Sequence, residues 1–276
     1  MTEIYLQMRK GAAHENIEDS ALLSFDGNFK IRNIECREHF NCKNPMLFAV
    51  ADGVGGLKGG DQASTFVLNS LKERAIKALE NNFETEAEIE NIVLNNTPID
   101  AERFEQVGDI LLKSLNKELL DYSSSMGEFK SMATTLTSLV FKGDGYGLIH
   151  TGNTRISSLN GVFLRQLTHD HTNYQNLLDM GQFDAADNCS RNIISSCLGS
   201  GSNYLNQIQV KLFEAKNNVK YFMLTSDGIH EYVEDSFVED LLANQDIDDL
   251  EKTDLLMEES LKHGSTDDKT ILLIKV

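Results

Sequence analysis

Acidic residues at four separated places in this chain could do chemistry together. Two apolar runs end abruptly in Asp-Gly: FAVADGVGGLKGG, from Phe48 to Gly60, and YFMLTSDGIHE, from Tyr221 to Glu231. Each reads as a buried strand that delivers a carboxylate, Asp52 or Asp227, to its exit, where glycine permits a sharp turn. Two acidic pairs lie towards the chain ends, Glu18 and Asp19 in HENIEDS, and Asp267 and Asp268 in STDDKT. Carboxylates gathered from distant segments repel one another unless positive charge sits between them, and the simplest such object is a hard divalent cation. An oxygen-rich, nitrogen-poor set suits magnesium or manganese better than zinc. Two such ions sharing a carboxylate and a water would acidify that water, the chemistry of phosphate-ester hydrolysis. A single Asp-Gly is most often only a turn. Two of them closing apolar runs, flanked by two acidic pairs, are harder to assign to turns alone.

Other motifs carry less. The glycine-rich loop Gly53 to Gly60 lacks the GK[ST] of a Walker loop, and Lys58 stands where a dinucleotide fingerprint needs its third glycine. His169 and His171 have no evident third nitrogen ligand and are read as structural. No G-x-S-x-G elbow is present. The four cysteines, Cys36, Cys42, Cys189 and Cys197, form no C-x-x-C pair and read as reduced thiols of a cytoplasmic protein. MTEIYLQMRK lacks the apolar region of a signal peptide, and no apolar stretch is long enough to span a bilayer.

The elements that must position these residues follow from the patterning. The 276 residues carry 43 acidic and 25 basic side chains, a net charge of −18, which argues against nucleic acid and anionic membranes as partners. Hydrophobic content of 41% is enough for a substantial core. Strand-like runs are expected at Ile4–Gln7, in a hairpin within Ala21–Ile34, and at Met46–Ala51. Helical periodicity starts near Asp61, and a second helix is expected from a Thr97 cap, with Phe104, Val107, Leu111, Leu115 and Leu119 on one face. Further strands are expected at Leu136–Phe141, Tyr146–Thr151, Arg155–Leu159, Val162–Leu164, Leu205–Leu212, Tyr221–Leu224 and Thr270–Val276. Helices are expected at Phe237–Leu242 and Leu250–Leu261. The polar segment Asn173–Ser190 reads as a mobile, flap-like insertion near the site. This order, without regular βαβ alternation, predicts an α+β fold of largely antiparallel sheets with helices outside, in one domain spanning residues 1–276.

The chain resembles the type-2C, or PPM-type, metal-dependent protein serine/threonine phosphatases, particularly bacterial ones. The resemblance is carried in order by ENIEDS, ADGVGGLKGGDQAS, MATTLTSLV, TGNTRISSLNGVFLRQLTHDHT, RNIISSCLG, LTSDGIHE and TDDKT. It implies a four-layer α-β-β-α sandwich of two mainly antiparallel sheets flanked by helices. It implies hydrolysis of phosphoserine and phosphothreonine in proteins by a metal-activated water, with two Mg²⁺ or Mn²⁺ ions as cofactors. Asp52 would bridge the ions, with the Gly53 carbonyl and Glu18 on one and Asp227 and Asp267 on the other. Asp19 would orient a ligand or water. Asp268 stands where the family often has Asn and is given a secondary place.

Two positions depart from the family pattern. His14 stands where Arg usually grips the substrate phosphate; a free imidazole titrates near ~6.5, so weaker phosphate binding is expected, improving on acidification if His14 faces the substrate. Asn153 stands where Asp usually helps hold a third metal with Asp227, so a third ion is expected to be weak or absent. The resemblance further implies a monomeric signalling enzyme acting on phosphoproteins against a serine/threonine kinase. The rival is a catalytically weak phosphoprotein-binding module on the same scaffold.

Overall fold

A computed structural model of the chain describes residues 1–54, 59–80, 91–95, 98–126, 132–200, 204–213 and 218–276. The two runs that end in Asp-Gly are β5 (Leu47–Ala51) and β13 (Val219–Thr225), buried almost throughout. They lie inside two different sheets. One sheet runs β10 (Phe163–Gln166), β9 (Arg155–Asn160), β13, β14 (Lys269–Lys275), β1 (Thr2–Arg9), β4 (Cys36–Cys42). The other runs β12 (Gln209–Phe213), β8 (Gly145–Thr151), β7 (Leu136–Lys142), β5, β2 (Ser20–Phe25), β3 (Asn28–Arg32). A short pair, β6 (Ala133–Thr134) with β11 (Leu198–Gly199), lies beside them. Neighbouring strands are antiparallel throughout.

Three apolar layers hold the stack together. Between the sheets, Ile4, Leu6, Leu272 and Phe222 meet Leu23, Phe48, Val50 and Leu139. Outside the second sheet, α1 (Gly60–Glu80) and α2 (Ala101–Ser125) bury Val67, Leu71, Phe104, Leu111 and Leu115. Outside the first, α6 (Asp235–Ala243) and α7 (Asp249–Lys262) bury Leu242, Leu256 and Met257 on Tyr5, Tyr221 and Leu273. This is the α-β-β-α sandwich that the element order and the resemblance predicted. At ~1.5–3 kcal/mol for each large apolar side chain removed from water, the sheet-to-sheet layer is a major source of stability.

Some elements differ from the sequence reading. β4, with sequence CREHFNC, is an additional strand that turns Cys36, Phe40 and Cys42 inwards with Glu38 among them and exposes Arg37, His39 and Asn41; it pairs only with β1 at the sheet edge. Helix α2 is capped by Asp100, whose side chain accepts from the Arg103 amide; the expected Thr97 cap lies outside the described residues. Strand β12 begins at Gln209 rather than Leu205, because the Asn206 and Gln207 amides both donate to Ser196 Oγ instead of to a ladder. The segment Asn173–Ser190 contains two short helices, α3 (Asn173–Asp179) and α4 (Phe183–Asp187). No helix among the described residues is long and apolar enough to cross a membrane.

Antiparallel pairing explains why acidic residues far apart in sequence meet. Ser20 pairs with Ala51, so Glu18 and Asp19 precede β2 at the end where Asp52 follows β5. Thr225 pairs with Ile271, so Asp227 follows β13 at the end where Asp267 and Asp268 precede β14. Both sheets therefore deliver their carboxylates to one shared edge of the sandwich.

Candidate functional site

The backbone at Asp52 is fixed from three directions. Its amide donates to Thr135 Oγ1 (3.0 Å), and its carbonyl accepts from the Thr135 amide (2.9 Å) and Thr134 Oγ1 (2.8 Å). The next amide, Gly53, donates to the Glu18 carbonyl (3.1 Å), tying the two acidic segments together. Glycine follows each aspartate for a reason other than turning: neither Gly53 nor Gly228 has a positive φ. A Cβ on Gly53 would lie 2.5 Å from the Gly60 carbonyl carbon, and one on Gly228 would lie 2.0 Å from the Asp268 carbonyl oxygen. Close backbone approach, not a sharp turn, demands glycine there. Asp227 does not end in a turn at all; it opens the short helix α5 (Asp227–His230).

The carboxyl groups crowd one another. Burial, then the charges of Asp19, Asp227, Asp267 and Asp268, push Asp52 well above the usual carboxylate range. Asp19 is fully buried, and burial raises it to about 8 against hydrogen bonds donated to Oδ2 by Thr270 Oγ1 (2.6 Å) and Ser226 Oγ (2.7 Å). Burial and the charge of Asp267 raise Asp227 to about 6, while Asn153 Nδ2 donates to its Oδ2 at 2.9 Å. Asp52 and Asp227 are close enough for each to shift the other's titration, a proximity that only a shared proton or an intervening cation makes favourable. Glu18 lies against Gly60, the first residue of α1, and burial raises its pKa too, with His14 opposing.

These residues fit a hard cation by their chemistry. Glu18 Oε2, Asp19 Oδ1, Asp227 Oδ1 and Asn153 Oδ1 are buried oxygens with no hydrogen-bond partner. Four such atoms around one acidic edge form an acceptor-only lining, which is what an oxygen-ligated ion requires and what a water-free protein interior otherwise avoids. The side chains are neighbours without yet closing on one point: among the described residues, no three His, Cys, Asp or Glu side chains are placed to hold an ion as they stand.

His14 differs from the free imidazole expected from sequence. Its Nδ1 is 3.0 Å from Asp268 Oδ2 and 3.7 Å from Asp267 Oδ1, and its Nε2 is 3.8 Å from Glu18 Oε2. Burial pulls its pKa down, but the Asp268 hydrogen bond and the surrounding carboxylates more than reverse this, so it is raised overall. Asp268 has more than a secondary place. It is 2% exposed and accepts from the Gly11 amide (2.6 Å), the Glu18 amide (2.6 Å) and His14, holding the loop before β2 in shape. Lys269, buried beside it, donates to the Asp267 carbonyl at 2.6 Å and places an ammonium next to the acidic edge.

Asn153 is held on a loop braced by buried imidazoles. His150 Nδ1 meets Thr137 Oγ1 at 2.7 Å, its Nε2 donates to the His169 carbonyl (3.0 Å), and the Gly152 amide donates to His171 Nδ1 (3.1 Å). Burial lowers His150 to about 4 and His171 to about 3, so both are neutral scaffolding, as expected for His171 from sequence. His169 instead pairs with Asp179 on the surface at 2.7 Å. Sequence reasoning missed Thr134, Thr135, Ser226 and Thr270. The Thr-Thr pair was visible as a motif, but nothing in sequence ties Ser226 and Thr270 to Asp19.

Comparison with known proteins adds the family. The family model described as protein phosphatase 2C matches residues 36–263. A protein named serine/threonine phosphatase stp from Listeria monocytogenes is 28% identical over 238 residues, covering 85% of this chain and 86% of that protein. The protein phosphatase PhpP of Streptococcus pneumoniae is 24% identical over 260 residues, covering 93% and 96%. Among solved structures, serine/threonine phosphatase Stp1 from Staphylococcus aureus superposes with a TM-score of 0.74 at 24% identity, covering 100% of this chain and 95% of that one. The Mycobacterium tuberculosis phosphatase PstP/Ppp gives 0.72 at 22% identity, covering 100% and 99%. At these identities the solved structures speak for the fold.

Proposed function

The chain belongs to the protein phosphatase 2C family, and from that premise we propose that it hydrolyses phosphoserine and phosphothreonine in proteins at the acidic edge. One observation carries the reading: buried and half-buried carboxylates from four segments gather at the shared end of two sheets, with oxygens of Glu18, Asp19 and Asp227 left unpartnered. A scaffold kept only for binding would gain stability by losing such charges.

Glu18, Asp52, the Gly53 carbonyl, Asp227 and Asp267 would hold two divalent cations, Mg²⁺ or Mn²⁺. Bound there, the cations supply the positive charge that offsets the carboxylates, attracts an anionic ester and acidifies water. The chain's own groups do the rest. Thr134 and Thr135 fix the Asp52 backbone, so its carboxylate is placed before substrate arrives. Ser226 and Thr270 anchor Asp19 by Oδ2 alone, leaving Oδ1 free to orient a ligand or a water. His14, drawn towards positive charge by Asp268, stands at the edge where a phosphate would approach. Asn153 donates an N–H to Asp227, a place that an acid could share only through a cation, which supports two firm ions and a weak or absent third.

The reading extends to a monomeric, cytoplasmic signalling enzyme opposing a serine/threonine kinase. Residues 1–276 would act as one catalytic domain, with 173–190 as a flap. The base of that flap is tied to the Asn153 loop by the His171 amide donating to the Gly152 carbonyl (2.8 Å). The test is release of inorganic phosphate from a phosphothreonine peptide with manganese, with and without chelator. Asp52→Asn should lose at least ~10²-fold in kcat, the scale of removing one electrostatic stabiliser. Equal turnover in chelator, or an unimpaired Asp52→Asn, refutes the reading.

A further inference from the structure

A cleft of about 820 Å³ opens beside Glu18, between α1, the β1–β2 connection and the β3–β4 connection. Its lining adjoins the acidic edge along the chain: Glu15 to Ile17 lead directly into Glu18, and Asp61 follows Gly60, which lies against the Glu18 carboxyl. Its inner wall is aromatic, with Phe66 of α1 stacked on Tyr122 of α2 at 4.3 Å between centroids and 11° between planes. At its rim Ile34 is 61% exposed, an apolar side chain standing in water. Its charged lining is mostly acidic. Glu15, Glu35 and Asp61 face it, and no lysine or arginine among the described residues pairs with any of the three. Lys10, the cleft's one ammonium among the described residues, donates to the His14 carbonyl at 2.7 Å and serves the loop.

We propose that this cleft receives the polypeptide flanking the phosphorylated residue and selects substrates with arginine or lysine in that flank. The inference rests on the phosphatase reading and names the substrate class of the same site. A long cationic side chain fits both features of the cleft. Its methylene stem covers the apolar wall, its charge can sit over the Phe66–Tyr122 face, and carboxylates that accept only from amides, Glu35 from the Lys10 amide and Asp61 from the Gln62 amide and Asn16, are left to complete its partners. A concave wall of mainly one sign concentrates its field more than an open surface does. The acidic cleft also answers a difficulty of the chain as a whole: at a net charge of −18, a phosphopeptide with acidic flanks is repelled, whereas one with basic flanks is drawn in beside the catalytic edge.

The test compares two matched phosphothreonine peptides, one flanked by arginines and one by glutamates, in saturating manganese. Wild type should show a kcat/KM roughly fivefold or more higher for the arginine peptide, carried by KM, because rim charges act on capture more than on chemistry. Glu15→Lys with Glu35→Lys changes two exposed residues and should abolish or invert that preference. A control, Glu102→Lys with Glu105→Lys, reverses two exposed charges at the start of α2, about 25–30 Å along the helix from Tyr122; it should keep the preference. Equal kcat/KM for the two peptides in wild type, or loss of the preference in the control as great as in the cleft variant, overturns the proposal. Hydrolysis of a small aryl phosphate reports the catalytic centre separately. If that is nil the catalytic reading fails, and the Kd values of fluorescein-labelled peptides by anisotropy still decide the cleft: a tighter arginine peptide, lost in the cleft variant, sustains it, and indifference ends it.

Discussion

Neutralising Asp227 measures what the acidic edge does to the folded chain. Asp227 is 8% exposed, and burial with the neighbouring charge of Asp267 moves its carboxyl from 3.8 to about 6. A carboxyl whose folded value is raised holds its proton more tightly in the folded state. Folding is therefore penalised wherever the pH lies above the unfolded value, and the penalty grows until the pH passes the folded value. At ~1.4 kcal/mol per unit, the gap of about two units amounts to about 3 kcal/mol at pH 7. Asp227→Asn keeps the shape and removes the charge, so in chelator at pH 7 it should melt roughly 5–10 °C above wild type. The advantage should shrink towards pH 4, where the wild-type carboxyl is protonated. Manganese should then raise the melting temperature of wild type far more than that of the variant, because the variant has lost both the strain and the ligand. Calorimetry in chelator and in manganese, at pH 5 and 7, gives all four numbers. A chelated variant melting at or below wild type at pH 7 would mean that Asp227 is a satisfied structural acid, and the reasoning fails.

Three further outcomes follow from the same geometry. Asp268→Ala leaves the Gly11 and Glu18 amides and His14 without their acceptor, so kcat on a phosphopeptide should fall by ~10-fold or more while the far-ultraviolet circular dichroism is kept. Thr137→Val removes the oxygen shared by His150 and Thr154 in a fully buried cluster and should lower stability to urea by ~1–3 kcal/mol. Asp249 accepts from Tyr221, Lys252 and Lys275, and burial is outweighed by these donors so that its pKa is lowered. Asp249→Ala strands the buried Lys252 and should cost about 3–5 kcal/mol by urea titration. Because the folded value is depressed, that difference should be full above the unfolded value of 3.8 and fade only as the pH falls through the lower folded one.

The carboxylates were legible in the sequence because β5 and β13 are buried on both faces. Such strands read as unbroken apolar runs, and an Asp at the end of one has nowhere ordinary to go. The hairpin at Asp26-Gly27 was legible because both residues take positive φ, which few residue types tolerate. β4 was not: an edge strand with one partner buries too little for an apolar signature, and Glu38 on the inward face breaks the alternation of Cys36, Phe40 and Cys42 with exposed Arg37, His39 and Asn41. The parts of the site that escaped notice are the ones set by register. Ser226 and Thr270 reach Asp19 only because β13 and β14 pair as they do, and Asp268 gains its amide donors only when the loop from Gly11 to Glu18 packs on it. His14 was read as a free imidazole because the carboxylates that surround it lie up to 254 positions away in the chain.

The central claim is that remote carboxylates at the shared end of two sheets hold hard cations. The most direct measurement is an anomalous-difference map from a crystal grown in manganese. Two strong peaks are expected, one reached by Glu18, Asp52 and the Gly53 carbonyl and one by Asp52, Asp227 and Asp267, with little or nothing beside Asn153. Peaks only elsewhere on the molecule, with none between Asp52 and Asp227, would contradict the account.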